Sequence, residues 1–336
     1  MVPQPDRAPS FSSALPCATV VVLGEALVDE FDDGGRVAGG APFNVARWLA
    51  ALGVPTCFIS RIGHDDHGAQ SLLESARRVG LSMQSVQIDE LHPTGRVVVT
   101  HTADGHSFAI GSPAAWDHID ADLALLALIQ AAPSVVVFGT LAQRHATSRQ
   151  TITRLLQSTS AVRVADLNLR AGTDTADLAE HTLKLADWLK VNEDEWAQLL
   201  SWFALPEPAH QAEPTRTAPD PAAQALMQRF ELQRVVVTCG ERGWYTLNAK
   251  AEVDARGAAE PVPALVDTVG AGDSFLSVLV AGLARGQALD ESLQAASRLA
   301  AAVCGQQGAM PNDDAFISHW RNQLTPQGAT LNRTSA

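Results

Sequence analysis

The stretch Asp267-Thr-Val-Gly270-Ala271-Gly272-Asp273-Ser-Phe runs into a long alanine-rich helical pattern, and its residue types are those of an anion site with a carboxylate beside it. Gly270 and Gly272 let the backbone turn tightly. The N–H groups of Ala271, Gly272 and Asp273 then stand unpaired at the helix start, where the positive end of the helix reinforces them. A carboxylate next to a bound anion is placed to take a proton from an attacking hydroxyl. Asp is also a favoured N-cap, so the bland use of Asp273 competes; two glycines and an upstream Asp267 together favour chemistry. A second pair, Asn192 and Glu195, lies three residues apart and shares a face if the segment is helical. Oxygen donors of this kind suit a hydrated Mg²⁺. Their alternative is a solvated acidic helix start, since Glu193, Asp194 and Glu195 all favour the dipole.

Several classes of chemistry are excluded by what the sequence lacks. There is no G-x-x-x-x-G-K-[ST] loop, and neither the H-R-D nor the D-F-G set of protein kinases. His64 and His67 flank Asp65 and Asp66 at a spacing that fits no zinc pattern. Cys17, Cys57, Cys239 and Cys304 form no C-x-x-C pair, and three of them sit in apolar runs as buried reduced thiols would. With 24 basic against 37 acidic residues the net charge is −13. Such a surface repels nucleic-acid backbones and anionic lipid, so neither is an expected partner. An anionic ligand would need a local cradle of N–H groups and metal ions. No run approaches the roughly 18 apolar residues of a membrane span. Residues 1–17 lack the apolar core of a signal peptide and read as a disordered leader, residues 326–336 as a disordered tail. The chain reads as soluble and cytoplasmic.

The elements that must position these groups alternate. With 336 residues, 46% of them apolar, the chain can bury one sizeable α/β core. Thr19–Leu23 is a continuous β-branched run, as in a parallel strand buried on both faces. Pro42 opens a helix over 43–52, closed by Gly53. Strands at 57–62, 134–139, 162–167, 188–191 and 234–238 alternate with helices at 70–79, 120–131, 146–157, 175–187, 272–285 and 290–304, the pattern of βαβ units. Segments 31–40 and 95–112 read instead as hairpins, the second turning at Asp104-Gly105, and together form a small β lid. A third hairpin-like stretch covers 243–254. Residues 203–222 hold five prolines and read as a surface loop before a further helix. One domain over 18–325 is expected, with a mostly parallel central sheet flanked by helices.

In this order and spacing the motifs resemble the ribokinase (PfkB-type) family of carbohydrate kinases, in its fructokinase-like form. Gly24-Glu-Ala-Leu-Val-Asp29 is similar to the family's first-strand motif, and Gly39-Gly40-Ala-Pro-Phe-Asn44-Val-Ala to its N-terminal signature. Arg61-Ile-Gly63-His-Asp65-Asp-His-Gly68 resembles R-x-G-x-D-x-x-G. Asp166-Leu-Asn168-Leu-Arg170 resembles D-x-N-x-R, although leucine stands where proline is usual. Asn192-Glu-Asp-Glu195 resembles N-x-x-E, and Thr238-Cys-Gly240-Glu-Arg-Gly243 resembles the nucleotide-binding T-x-G-x-x-G. The G-A-G-D stretch and Gly308-Ala-Met-Pro311 complete the set. The resemblance covers about residues 19–320.

The resemblance implies a ribokinase-like α/β fold and transfer of the γ-phosphate of MgATP to a primary hydroxyl of a small sugar, fructose first. Asp273 would be the general base, with Gly270, Ala271 and Gly272 as the anion hole. Asp29, Gly39, Gly40, Asn44, Asn168 and Arg170 would hold the sugar, with Asp29 and Asn168 at the carboxyl ends of core strands. Asn192, Thr238, Gly240, Gly243, Gly270, Gly272 and Gly308 would hold the nucleotide. Asn192 and Glu195 would reach Mg²⁺ through water, and Asp267 with the Val269 carbonyl a monovalent cation such as K⁺. Helix capping remains the alternative for Asn44, and a surface salt bridge for Arg170. A homodimer through the lid strands is also implied. Other substrates (2-keto-3-deoxygluconate, ribose, adenosine, a sugar phosphate) and a non-catalytic sugar-binding regulator stand as alternatives. An acidic or phosphorylated substrate calls for more cations than these motifs contain.

Overall fold

A computed structural model describes residues 19–31, 35–102, 105–170, 175–203, 220–262 and 264–324. The expected leader and tail, Asp104 of the second hairpin turn and most of the proline-rich segment lie outside the described residues. From the N-terminus the elements are β1 (Val20–Leu23), β2 (Leu27–Phe31), β3 (Arg36–Gly39), α1 (Ala41–Ala51), β4 (Thr56–Gly63), α2 (His67–Val79) and β5 (Val86–Asp89). There follow β6 (Gly95–Thr102), β7 (Gly105–Ile110), α3 (Ala121–Ala131), β8 (Val135–Gly139), α4 (Ala146–Gln157), β9 (Val162–Asp166), α5 (Ala176–Leu183), β10 (Trp188–Asn192) and α6 (Glu193–Phe203). The chain continues through α7 (Pro221–Arg229), β11 (Arg234–Thr238), β12 (Trp244–Asn248), β13 (Val253–Gly257), α8 (Ala271–Ala284), α9 (Leu289–Cys304) and α10 (Asp314–Leu324).

The main sheet runs β13-β12-β11-β10-β9-β8-β1-β4-β5, parallel from β11 to β5 and antiparallel at β12 and β13. The valine runs dictate this layering. Val21 and Leu23 of β1, with Val136 and Phe138 of β8, enter one core, whose helices are α3 to α7. Val20, Val22, Val135 and Val137 enter the other, under α1, α2, α8, α9 and α10. Strands buried on both faces need no polar alternation, and these show none. Local chemistry sets the helix ends. Asp66 caps α2 by accepting from the Ala69 N–H at 2.7 Å and takes the Thr94 N–H at 2.7 Å on its other oxygen, so the His64–His67 segment is structural. Gly80 closes α2 in the left-handed region at φ 74°.

A second, four-stranded sheet in the order β3-β2-β6-β7 forms the lid. Its first hairpin begins at Leu27, not at Phe31, and this corrects the placement of Asp29. That residue is inside lid strand β2, paired opposite Val37, and not at the carboxyl end of the core strand β1. Two elements carried too little signal to be expected: β5 has only four residues, and α10 buries only Ile317. Cys57, Cys239 and Cys304 are free thiols.

Candidate active site

The parallel strands end on one edge, and the chain reverses its winding between β1 and β8, which are neighbours in the sheet. Ligands in open α/β sheets bind beyond the strand carboxyl ends at such a point. Here Glu25 after β1, Thr140 after β8, and Asn168 and Arg170 after β9 line one small cavity.

Asp273 stands in the first turn of α8, opened by Gly270 at φ 77°, where a Cβ would collide with Ala309. It is almost fully buried, and Asn44 Nδ2 donates to its Oδ2 at 2.7 Å. Burial pushes its pKa up to about 6, and Asp166 adds to this; the Asn44 hydrogen bond, Lys190 and Arg170 pull the other way. Ser274 donates the first bond of the helix ladder, to the Gly270 carbonyl at 2.8 Å, so Gly272 and Asp273 precede it. One expected anion donor is redirected: the tight turn aims the Ala271 N–H at the Thr268 carbonyl, 3.2 Å away.

The residues expected to hold a sugar lie around this carboxylate. Asp29 reaches from the lid, and a Cβ on Gly39 would lie 2.7 Å from its Oδ2, so the glycine leaves room for the carboxyl. Burial raises the Asp29 pKa to about 6, against the opposing charges of Arg170 and Arg47. Gly40 has φ 100° and passes against the Glu25 carbonyl, while Asn168 turns the chain at φ 49°. The Arg170 Nη1 donates to the Asn168 carbonyl at 3.3 Å and its charge acts on both Asp29 and Asp273. It is therefore no isolated surface salt bridge, and Asn44 does not cap a helix: the N-cap of α1 is Gly40, one turn earlier.

On the other side of Asp273, Asn192 and Glu195 form a reciprocal cap. Asn192 Oδ1 accepts from the Glu195 N–H and Glu195 Oε2 from the Asn192 N–H, both at 2.8 Å. Glu195 Oε1 also takes the Leu169 N–H at 2.7 Å, which ties α6 to the loop carrying Asn168 and Arg170. Glu195 is buried, not solvated, and its pKa is raised by burial and by Asp166. Thr238 ends β11, and the Gly240–Arg242 turn is held to α6 by an Arg242–Glu193 ion pair. Gly243, at φ 97°, leaves no room for a Cβ against the Gly257 carbonyl. Asp267 accepts from the Val269 N–H at 2.9 Å and the Gly308 N–H at 3.0 Å, and so holds the loop before α8 against the Gly308 turn.

Residues 15–315 match the pfkB family carbohydrate kinases. The chain belongs to that family. It is 28% identical to a fructokinase of Klebsiella pneumoniae over 84% of this chain and 91% of that one. It is equally 28% identical to a ribokinase of Arabidopsis thaliana, over 83% of this chain and 70% of that one. A sugar kinase from Pyrococcus horikoshii, solved in complex with ATP, superposes with a TM-score of 0.72 at 22% identity, covering 91% of this chain and all of that one. That likeness establishes a ribokinase-like fold. The protein is thus a carbohydrate kinase of the PfkB type, a phosphotransferase.

Within this PfkB kinase, two cations in the site carry no motif that singles them out. Lys190 of β10 is buried, with Nζ 3.2 and 3.3 Å from the carboxylate oxygens of Asp166, and a Cβ on Gly272 would lie 2.9 Å from that Nζ. The ammonium therefore sits under the start of α8. Burial alone would lower its pKa, but Asp166, Glu195 and Asp273 outweigh this and hold it above its ordinary value. Arg47 of α1 is the second buried cation, beside Asn44. The one sequence signal for Lys190 was a lysine inside an otherwise buried strand. Among the described residues no group of three or more His, Cys, Asp or Glu is placed to hold a metal by itself. Asn192, Glu195 and Asp166 are hard oxygen donors all the same, and they fit a hydrated Mg²⁺ that arrives on phosphates and keeps its waters.

Proposed function

We propose that this kinase transfers the γ-phosphoryl group of ATP to a primary hydroxyl of a free sugar, with fructose as acceptor and fructose 6-phosphate as product. The observation that carries this reading is the buried Asp273 carboxylate, held by Asn44 at 2.7 Å in the first turn of α8. A sugar hydroxyl is a poor nucleophile. As its oxygen attacks the γ-phosphorus and the bond to ADP breaks, its proton passes to Asp273. The N–H groups of Gly272 and Asp273 face the charge that grows on the transferred group, reinforced by the helix and by Lys190 beneath it. Mg²⁺, carried by the nucleotide and reached through water by Asn192 and Glu195, would neutralise phosphate charge. Thr238, Gly240, Gly243 and Gly308 border the nucleotide. Asp29, Asn44, Asn168 and Arg170 accept and donate to sugar hydroxyls, and Gly39 and Gly40 let the lid backbone approach them.

A neutral sugar fits best, because the cations here already face carboxylates. One observation favours a second acceptor: Arg170 lines the cavity and its charge acts on both Asp29 and Asp273, so the carboxylate of 2-keto-3-deoxygluconate would find a partner there. K⁺ at Asp267 and the Val269 carbonyl, pairing of two lids in a homodimer and a cytoplasmic location complete the proposal. No helix among the described residues is long and apolar enough to cross a membrane. ADP release with MgATP over fructose, ribose, glucose, 2-keto-3-deoxygluconate, adenosine and fructose 6-phosphate, with and without K⁺, tests the substrate. Turnover chiefly on fructose supports the reading. Turnover only on the acid or the phosphate overturns the choice of acceptor.

A further inference from the structure

Arg47 is buried in α1 where no motif asks for a cation, and it bridges separate parts of the site. Its Nη2 donates to the Asn44 Oδ1 and, at 3.2 Å, to the carbonyl of Ala38 in lid strand β3. Its Nη1 donates to Ser75 Oγ in α2 at 2.8 Å, and the guanidinium lies 4.9 Å from the centre of the Phe43 ring. We infer that Arg47 is a positioning residue that fixes the Asn44 amide with its nitrogen toward Asp273 and ties that amide to the lid. The inference rests on the reading of Asp273 as the base.

An asparagine amide has nearly the same shape either way round, and only one orientation serves a carboxylate. With oxygen toward Asp273, two acceptors would face each other; with nitrogen toward it, the amide donates. Arg47 has donors only, so it accepts the oxygen face alone and leaves Nδ2 for Asp273. Its rigid fork reaches Asn44 and Ala38 from one nitrogen and Ser75 from the other, a geometry that lysine cannot copy. Ala38 directly precedes Gly39, which makes room for the Asp29 carboxyl. One side chain therefore joins the lid hairpin to the hydrogen bond on the base.

Charge gives the same side chain a second effect. Among the described residues Arg47 has no ion-pair partner, so beyond the acceptors it donates to, its buried charge is offset by the fields of Asp273 on α8 and Asp29 on β2, with Arg78 on α2 opposing. Asp273 in turn faces Asp166 of β9, Lys190 of β10 and Arg170. Removing Arg47 takes away one cation that favours the ionised carboxylates and also releases the Asn44 amide.

The test is kcat/KM against pH for wild type, Arg47→Met, Arg47→Lys, Ser75→Ala and Asp273→Asn, each with a melting curve. Arg47→Met should lower kcat/KM roughly ten- to hundredfold and move the acidic limb about one unit toward higher pH. Arg47→Lys should restore the limb more than the rate, since it keeps the charge and loses the fork. Ser75→Ala leaves Asn44 and Asp273 in place and should shift both in the same direction by less. An inactive Asp273→Asn protein beside a folded Arg47→Met with wild-type limb and a rate within about twofold overturns this inference alone. If Arg47→Met does not fold, unchanged Arg47→Lys and Ser75→Ala profiles overturn it equally. An Asp273→Asn protein as active as wild type overturns the base reading and this inference with it.

Discussion

Asn44 Nδ2 donates a 2.7 Å hydrogen bond to Asp273 Oδ2, joining α1 to α8 across 229 positions of sequence. The bond favours the ionised carboxylate against the burial that raises its pKa to about 6. A base must be ionised to act, so kcat/KM should fall as the pH drops through about 6. Asn44→Ala removes the donor. Its acidic limb should move up by about one unit, with a lower plateau. A pH–rate profile of kcat/KM on the preferred sugar checks both.

The same carboxylate weakens the fold at neutral pH. In the folded chain Asp273 keeps its proton up to about pH 6, against 3.8 in the unfolded chain. The folded state binds more protons across that window, so stability falls as pH rises through it; the loss is complete above the folded pKa and absent below the unfolded one. Its size is on the order of 2–3 kcal/mol. Asp273→Asn should therefore melt higher than wild type at pH 7.5, with the gap closing as the pH approaches 4. Equal melting curves across the range would contradict it.

Lys190 and Asp166 form a buried pair in which neither charge is dispensable alone. Lys190→Met should cost about 3–5 kcal/mol in denaturant unfolding, because it strands Asp166 beside Asp273. Adding Asp166→Leu should recover most of that stability and none of the turnover. Recovery of both would show that the pair serves packing only.

Gly39→Ala places a methyl group 2.7 Å from Asp29 Oδ2 without touching the nucleotide side. KM for the sugar should rise roughly tenfold while KM for ATP stays level. Initial rates with each substrate varied in turn measure the split.

The parallel core was legible in the sequence because β1, β8 and β11 each carry an uninterrupted valine run and the first helices close at Gly53 and Gly80, signals that depend on neighbours in the chain. Asp273, Asn44, Asn192 and Glu195 were legible as types at fixed spacings. Asp29 was recognised but put on the wrong element, since a polar Leu27–Phe31 strand that pairs with β6, far along the chain, gives no local period. Lys190 gave only the faint signal of a lysine within a buried strand, and Arg47 gave none. A lysine in a strand and an arginine in a helix look like surface charges until the opposing layer is in place, and here that layer comes from α8 and from the lid.

The most direct test of the account is the rate of ADP formation on the preferred sugar by Asp273→Ala, with nucleotide affinity measured on the same protein. The account predicts a loss of about 10²- to 10⁴-fold in kcat with ATP binding nearly unchanged. A variant that turns over at the wild-type rate while binding ATP would contradict it, and the base would have to be sought elsewhere on that strand edge.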